Sequence, residues 1–198
     1  MPADLLSPEQ FEPEDRAGWR AWLNQNHGSA RGVWLVLRKK AAPVPNLTWA
    51  EAVQEALCFG WIDSKPRKMD DTRSALYFAP RKTGSGWSAV NKGHIERLLA
   101  AGQMTAAGQA RIDAAKADGS WTLLDAVEAL KMPDDLAEAL SAVSGALDGW
   151  NAFPDSAKKG ILQWIVQAKT VPTRSKRVTQ TAELAALGIR ANTWKRPG

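Results

Sequence analysis

The stretch from Glu55 to Arg97, EALCFGWIDSKPRKMDDTRSALYFAPRKTGSGWSAVNKGHIER, constrains the fold more than any other part of the chain. Apolar and charged residues alternate there in short blocks, which suits a lined cleft or a tightly turned subdomain rather than one long helix. Its punctuation is dense. Gly60 stands where a left-handed residue would end a helix, Pro66 forbids a return to that helix, and Pro80 closes the apolar run Ser74 to Ala79. The same stretch holds the only Cys, the only Tyr, His94, and Trp61 and Trp87 of the ten tryptophans.

The flanking segments read as helices and one strand. Glu12 to Asn26 is predicted helical, with Pro13 in its first turn and Trp19, Trp22 and Leu23 on one face. Gly32 to Lys39 is the clearest strand, rich in β-formers and followed by Pro43 and Pro45. Thr48-Trp49-Ala50-Glu51 is a capping box that opens a helix ending at Gly60. The run SALYFA is predicted to pair with Val33 to Leu37, and Ser64 to Arg73 reads as a polar connection. Ser88 and Thr105 are predicted N-caps of helices reaching about Ala101 and Ala117. Further helices are expected within 121–131 and over 134–143, 154–170 and 173–187, with 144–153 a loop carrying at most a helical turn. Ser7 to Phe11 reads as an extended lead-in and 190–198 as a tail.

These segments predict an α+β fold, predominantly helical. A small antiparallel sheet is covered by helices, with a C-terminal helical portion. Two regions are expected, 1–103 bearing the motifs and 104–198 helical, packed as one unit. A chain of 198 residues that is 44% hydrophobic can fill one sizeable core or two small lobes. No window approaches the roughly 20 apolar residues of a membrane span, and the acidic N-terminus lacks a secretory pattern, so the cytoplasm is expected. A single Cys excludes an intrachain disulfide framework, and His27 and His94 are widely separated, so no metal site and no cofactor are expected.

No catalytic signature is present: no Walker A loop, no G-x-G-x-x-G after a strand, no H-E-x-x-H and no nucleophile elbow. Cys58 sits between Leu57 and Phe59, as a small buried hydrophobe does. Asp63 and Asp70 lie among Arg and Lys residues, which would depress their pKa values and argue against acid catalysis. No catalytic residue is assigned. A formal charge of +5 and a pI near 9.5 permit an anionic partner. The basic loop Arg81 to Gly86 feeds a helix N-terminus, where Arg81, the loop amides and Ser88 could receive an anion. The ligand-binding candidates are Trp61, Asp63, Arg81, Ser85, Trp87, Ser88 and Asn91: Arg81 supplies charge, the indoles wall the site, and Ser88 and Asn91 hydrogen-bond. Lys169, Arg174 and Arg177 form a second basic cluster that could extend a nucleic-acid surface.

The blocks Phe59-Gly60-Trp61-Ile62-Asp63 and Trp87-Ser88-Ala89-Val90-Asn91, with Phe78, Pro80-Arg81 and Gly84-Ser85, resemble the YdeI/OmpD-associated (OmdA-type) family, also labelled bacteriocin-protection proteins. Weaker likeness runs through Gly32 to Leu35, Met104-Thr105, Ala168-Lys169, Thr173-Arg174 and Arg177. Tyr77 departs from the pattern, standing where an Arg precedes the Phe. The resemblance implies protection against bacteriocins or cationic antimicrobial peptides and a link to stress, and supplies no reaction. The leading expectation is a non-enzymatic cytoplasmic protein that binds an anionic small molecule. A nucleic-acid-binding protein using the basic clusters and an enzyme using Cys58 or Asp63 are the alternatives.

Overall fold

The computed structural model describes residues 9–192; the lead-in at Ser7 and Pro8 and the tail beyond Asn192 lie outside the described residues. The chain divides into two compact units, one ending at Trp121 and one beginning at Thr122. The helix that opens at Thr105 belongs to the first unit, whereas the division at residue 103 grouped it with the C-terminal region.

The first unit opens with β1 (Gln10–Phe11) and α1 (Arg16–Asn26). The helix starts later than the predicted Glu12. Asp15 adopts an extended backbone and its carboxylate accepts from the Gly18 amide at 2.8 Å, which fixes the N-cap there and leaves Pro13 outside. Next come β2 (Val33–Arg38) and α2 (Trp49–Cys58), where both halves of the Thr48–Glu51 capping box form. Gly60, at φ +73°, stops the helix as predicted. β3 (Trp61–Lys68), β4 (Arg73–Pro80), α3 (Ala89–Ala100, capped by Ser88) and α4 (Ala106–Ala117, capped by Thr105) complete the unit.

The sheet order is β1-β2-β4-β3. The expected β2–β4 pairing is present and antiparallel, in the register Val33↔Phe78, Leu35↔Leu76. Two strands were not predicted. β3 occupies what read as a polar connection, because at a sheet edge Pro66 costs little and one bulge, between Asp63 and Lys65, absorbs the irregularity. β1 pairs parallel to β2, which makes the sheet mixed rather than purely antiparallel. Val33, Leu35, Leu76 and Phe78 point to one face and meet Trp19, Leu23, Ala56 and Leu57 of α1 and α2. Each fully buried Val, Leu or Phe among them contributes about 1.5–3 kcal/mol.

The second unit is helical: α5 (Asp125–Glu128), α6 (Asp134–Ala142), α7 (Ala146–Ala152), α8 (Asp155–Val166) and α9 (Val171–Ala186). It has its own core, built on Leu136, Leu140, Trp150, Ile161, Leu162, Ile165 and Val178. α9 begins ahead of Pro172, not at Thr173, because the Thr170 hydroxyl accepts from the Thr173 amide and a first-turn proline has no needed donor to lose. The 144–153 segment is mostly helix rather than loop.

Candidate functional site

The end of β4 and the glycine stop of α2 fix Arg81. Its backbone amide donates to the Gly60 carbonyl at 2.9 Å, and its guanidinium carbon lies 3.7 Å from the centroid of the Trp87 ring. Nη2 donates to the Gly86 carbonyl, closing the basic loop on itself. The residue is only 6% exposed, and Nε is buried with no hydrogen-bond partner. Burial pushes the Arg81 pKa down to about 10, opposed in part by the charge of Asp63, so the side chain is still a cation at neutral pH. A buried donor of this kind normally finds an acceptor, and leaving it without one is costly.

Arg81 and Trp87 line a cavity of about 10 Å³, together with Lys82, Gly84, Arg111, Asp118 and Ser120. That is room for about one water-sized occupant. Asp118 accepts from the Ser120 amide at 2.8 Å and the Gly84 amide at 3.2 Å. Its hydrogen bonds to Ser120, then Gly84, hold its carboxyl below the usual range. One loop amide expected to face a ligand is thus already used by a protein carboxylate. Ser85 turns its hydroxyl to the Lys82 carbonyl at 2.7 Å. Trp87 rests against Trp121 at 5.2 Å, and Lys92 and Lys116 lie over the Trp121 ring.

Of the predicted site residues, the structure gathers Arg81 and Trp87 around the cavity, with Ser85 in the adjoining loop. Trp61 is elsewhere: 1% exposed, it packs edge-on against Trp22 and donates to the His27 carbonyl at 3.1 Å. Asp63 accepts from the Trp49 indole at 3.1 Å. Ser88 caps α3 by accepting from the Asn91 amide at 3.3 Å. Trp49, the first residue of α2, is 52% exposed. Cys58 is fully buried and its thiol is pushed up by that burial. Asp70 is held at about 2, chiefly by Arg73.

In the second basic cluster, Arg174 forms a two-pronged bond to Asp135 at 2.7 and 2.9 Å. Arg177 donates to the Trp164 carbonyl and covers the Trp164 ring at 4.9 Å, while Lys169 is exposed. Sequence reasoning missed Arg111, Asp118 and Ser120. They come from α4 and the turn after it, brought in by long-range packing that no local spacing encodes; the one sign was Gly60, where an added Cβ would meet Arg111 Cγ at 2.5 Å.

A family model described as Domain of unknown function (DUF8412) matches residues 11–111, and one described as Bacteriocin-protection, YdeI or OmpD-Associated (OmdA) matches 129–188. The Arg81–Trp87 cavity lies in the first stretch up to Arg111, and the Arg174–Asp135 pair in the second. No curated protein and no solved structure matches the chain.

Proposed function

The chain belongs to the Domain of unknown function (DUF8412) family and matches the OmdA, bacteriocin-protection model over 129–188, and from this we propose a non-enzymatic protective protein that binds one anionic group at Arg81. The observation that carries this is that Arg81, which lines a cavity, has a buried Nε without a hydrogen-bond partner. The volume suits a group about the size of one water, such as a small anion or one oxygen of a carboxylate or phosphate whose remainder stays outside. Lys82 and Arg111 add positive charge, and Asp118 opposes it.

A formal charge of +5 has the wrong sign for sequestering a cationic peptide directly. In this reading protection runs through an anionic metabolite or surface group. Action in the cytoplasm belongs to the same reading. Among the described residues no helix is long and apolar enough to cross a membrane.

The test is thermal unfolding at fixed ionic strength with chloride or inorganic phosphate replacing an inert anion, in wild type and Arg81→Met. Ligand that binds only the folded state raises the midpoint. A rise in wild type that vanishes in the variant is expected, with a matching loss of survival when cells are challenged with bacteriocin. Equal responses of both proteins would remove Arg81 from the binding role.

A further inference from the structure

We propose that the face of the sheet turned away from α1 and α2 is a platform for single-stranded nucleic acid. Residues paired across a sheet share a face, so the register defines what this face carries. One row runs Gln10, Trp34, Tyr77, Lys65; the next runs Val36, Ala75, Arg67; and Arg38 pairs with Arg73 beyond. Trp34 and Tyr77 sit on the two central strands with ring centroids 5.2 Å apart, and both remain partly exposed.

Arg67 reaches from the edge strand across Ala75 and places its guanidinium 4.3 Å from the Trp34 ring centroid. Ala75 is 1% exposed beneath it. Tyr77 lies over Gly32, where any Cβ would overlap its hydroxyl, so the glycine lets the ring lie against the strand. The result is an aromatic and guanidinium cluster in which Arg67 lies over the Trp34 ring and Tyr77 stands beside that ring, tilted by 55°.

The charge on this face is complementary to phosphate. Glu12 is taken up by Arg38 at 2.8 Å and Arg73 at 3.4 Å, and Asp70 by Arg73 at 2.8 Å. Among the described residues, Lys65 and Arg67 have no carboxylate within ion-pair distance. Protection of the open edge against strand pairing accounts for Lys65, Pro66 and the bulge in β3. It gives no reason for two large aromatics on the open face of the central strands. Stacked bases and a phosphate chain do, since every base offers a π-face and the cations track the backbone. The face offers planes and point charges and little to read a sugar or a sequence, so binding is tolerant of both.

Fluorescence anisotropy of the full chain with labelled oligo-U, oligo-dT and a duplex of about 12 nucleotides tests this. Both single strands should bind in low salt, within a few-fold of each other and more tightly than the duplex. Lys65→Glu/Arg67→Glu should weaken binding by at least about ten-fold and flatten its salt dependence. Tyr77→Leu should weaken it several-fold without changing the salt slope, which separates stacking from charge. Lys176→Glu, in the other unit, should change nothing. No binding in low salt, duplex binding as tight as single-strand binding, an unaffected double variant, or binding only to anionic phosphatidylglycerol vesicles would each overturn the proposal. None of these results depends on Arg81.

Discussion

Arg81 and Trp87 are both almost wholly buried, with the guanidinium carbon 3.7 Å from the indole centroid, so the protein keeps a cation in its interior against an aromatic face. Such a contact contributes about 0.5–2 kcal/mol. Against it stand the desolvation of the charge and the partnerless Nε. The opposing effects are of similar size. Arg81→Met should therefore unfold within about 1 kcal/mol of wild type in the absence of added anion. Arg81→Lys keeps the charge but loses the Nη2 bond to the Gly86 carbonyl, and should cost about 1–3 kcal/mol. Urea titrations of the three proteins check this. A methionine variant less stable than the lysine variant would make Arg81 a structural residue.

Glu55 on α2 is 4% exposed at its side chain and receives Arg16 at 2.5 Å and Arg20 at 2.6 Å from α1, whose side chains are 35% and 37% exposed. The burial is one-sided, and so is the predicted cost. Glu55→Gln leaves two cations that can turn to water, for a loss of about 1–2 kcal/mol. Arg16→Ala/Arg20→Ala strands a carboxylate in the core, for about 3–5 kcal/mol. Denaturant midpoints of the two variants should fall in that order, and the reverse order would refute the asymmetry.

How much of this was legible in the sequence follows from the range of the signals. Local chemistry was readable: the Thr48 capping box, the Gly60 stop, the Ser88 and Thr105 caps and the β2–β4 pairing all stand where expected. β3 was hidden because its polar, proline-containing sequence satisfies only an edge strand, and edge position is a property of the whole sheet. Arg81 and Trp87, expected together from their loop, line one cavity, whereas Trp61 lies in the core. A turn-flanking indole can face a pocket or the core, and contacts from Trp22 and His27 decide it. Arg111 and Asp118 lay beyond local reasoning because α4 carries them in from a distant part of the chain.

Gly149 and Gly160 each lie inside a helix and should respond oppositely to alanine. A Cβ on Gly149 of α7 would overlap the Ala185 carbonyl of α9, a backbone atom that cannot rotate away. Gly149→Ala should cost about 1–3 kcal/mol by overpacking. At Gly160 of α8 an added Cβ meets nothing within 4 Å, and the position is exposed. Gly160→Ala should stabilise by about 0.4–1 kcal/mol, since the unfolded chain loses freedom and the helix gains propensity. Thermal unfolding of both variants reads the signs directly, and two shifts of the same sign would contradict the α7–α9 approach.

Asp135 at the start of α6 clips α9 through its two bonds to Arg174, and those bonds hold its carboxyl below the ordinary 3.8. A lowered folded pKa means that the unfolded chain takes up the proton first as pH falls. The clip's contribution is therefore complete above about pH 4 and is lost as the pH drops through the folded value. Arg174 and Asp135 are 32% and 43% exposed, so solvent screening limits the contribution to about 0.5–1 kcal/mol. Asp135→Asn lacks the titrating group. At pH 7 it should be less stable than wild type by that amount, and the gap should close as the pH is lowered below 4. Paired thermal melts across this range measure the gap, and one that stayed constant with pH would show that the Arg174 contact does not depend on the carboxylate charge.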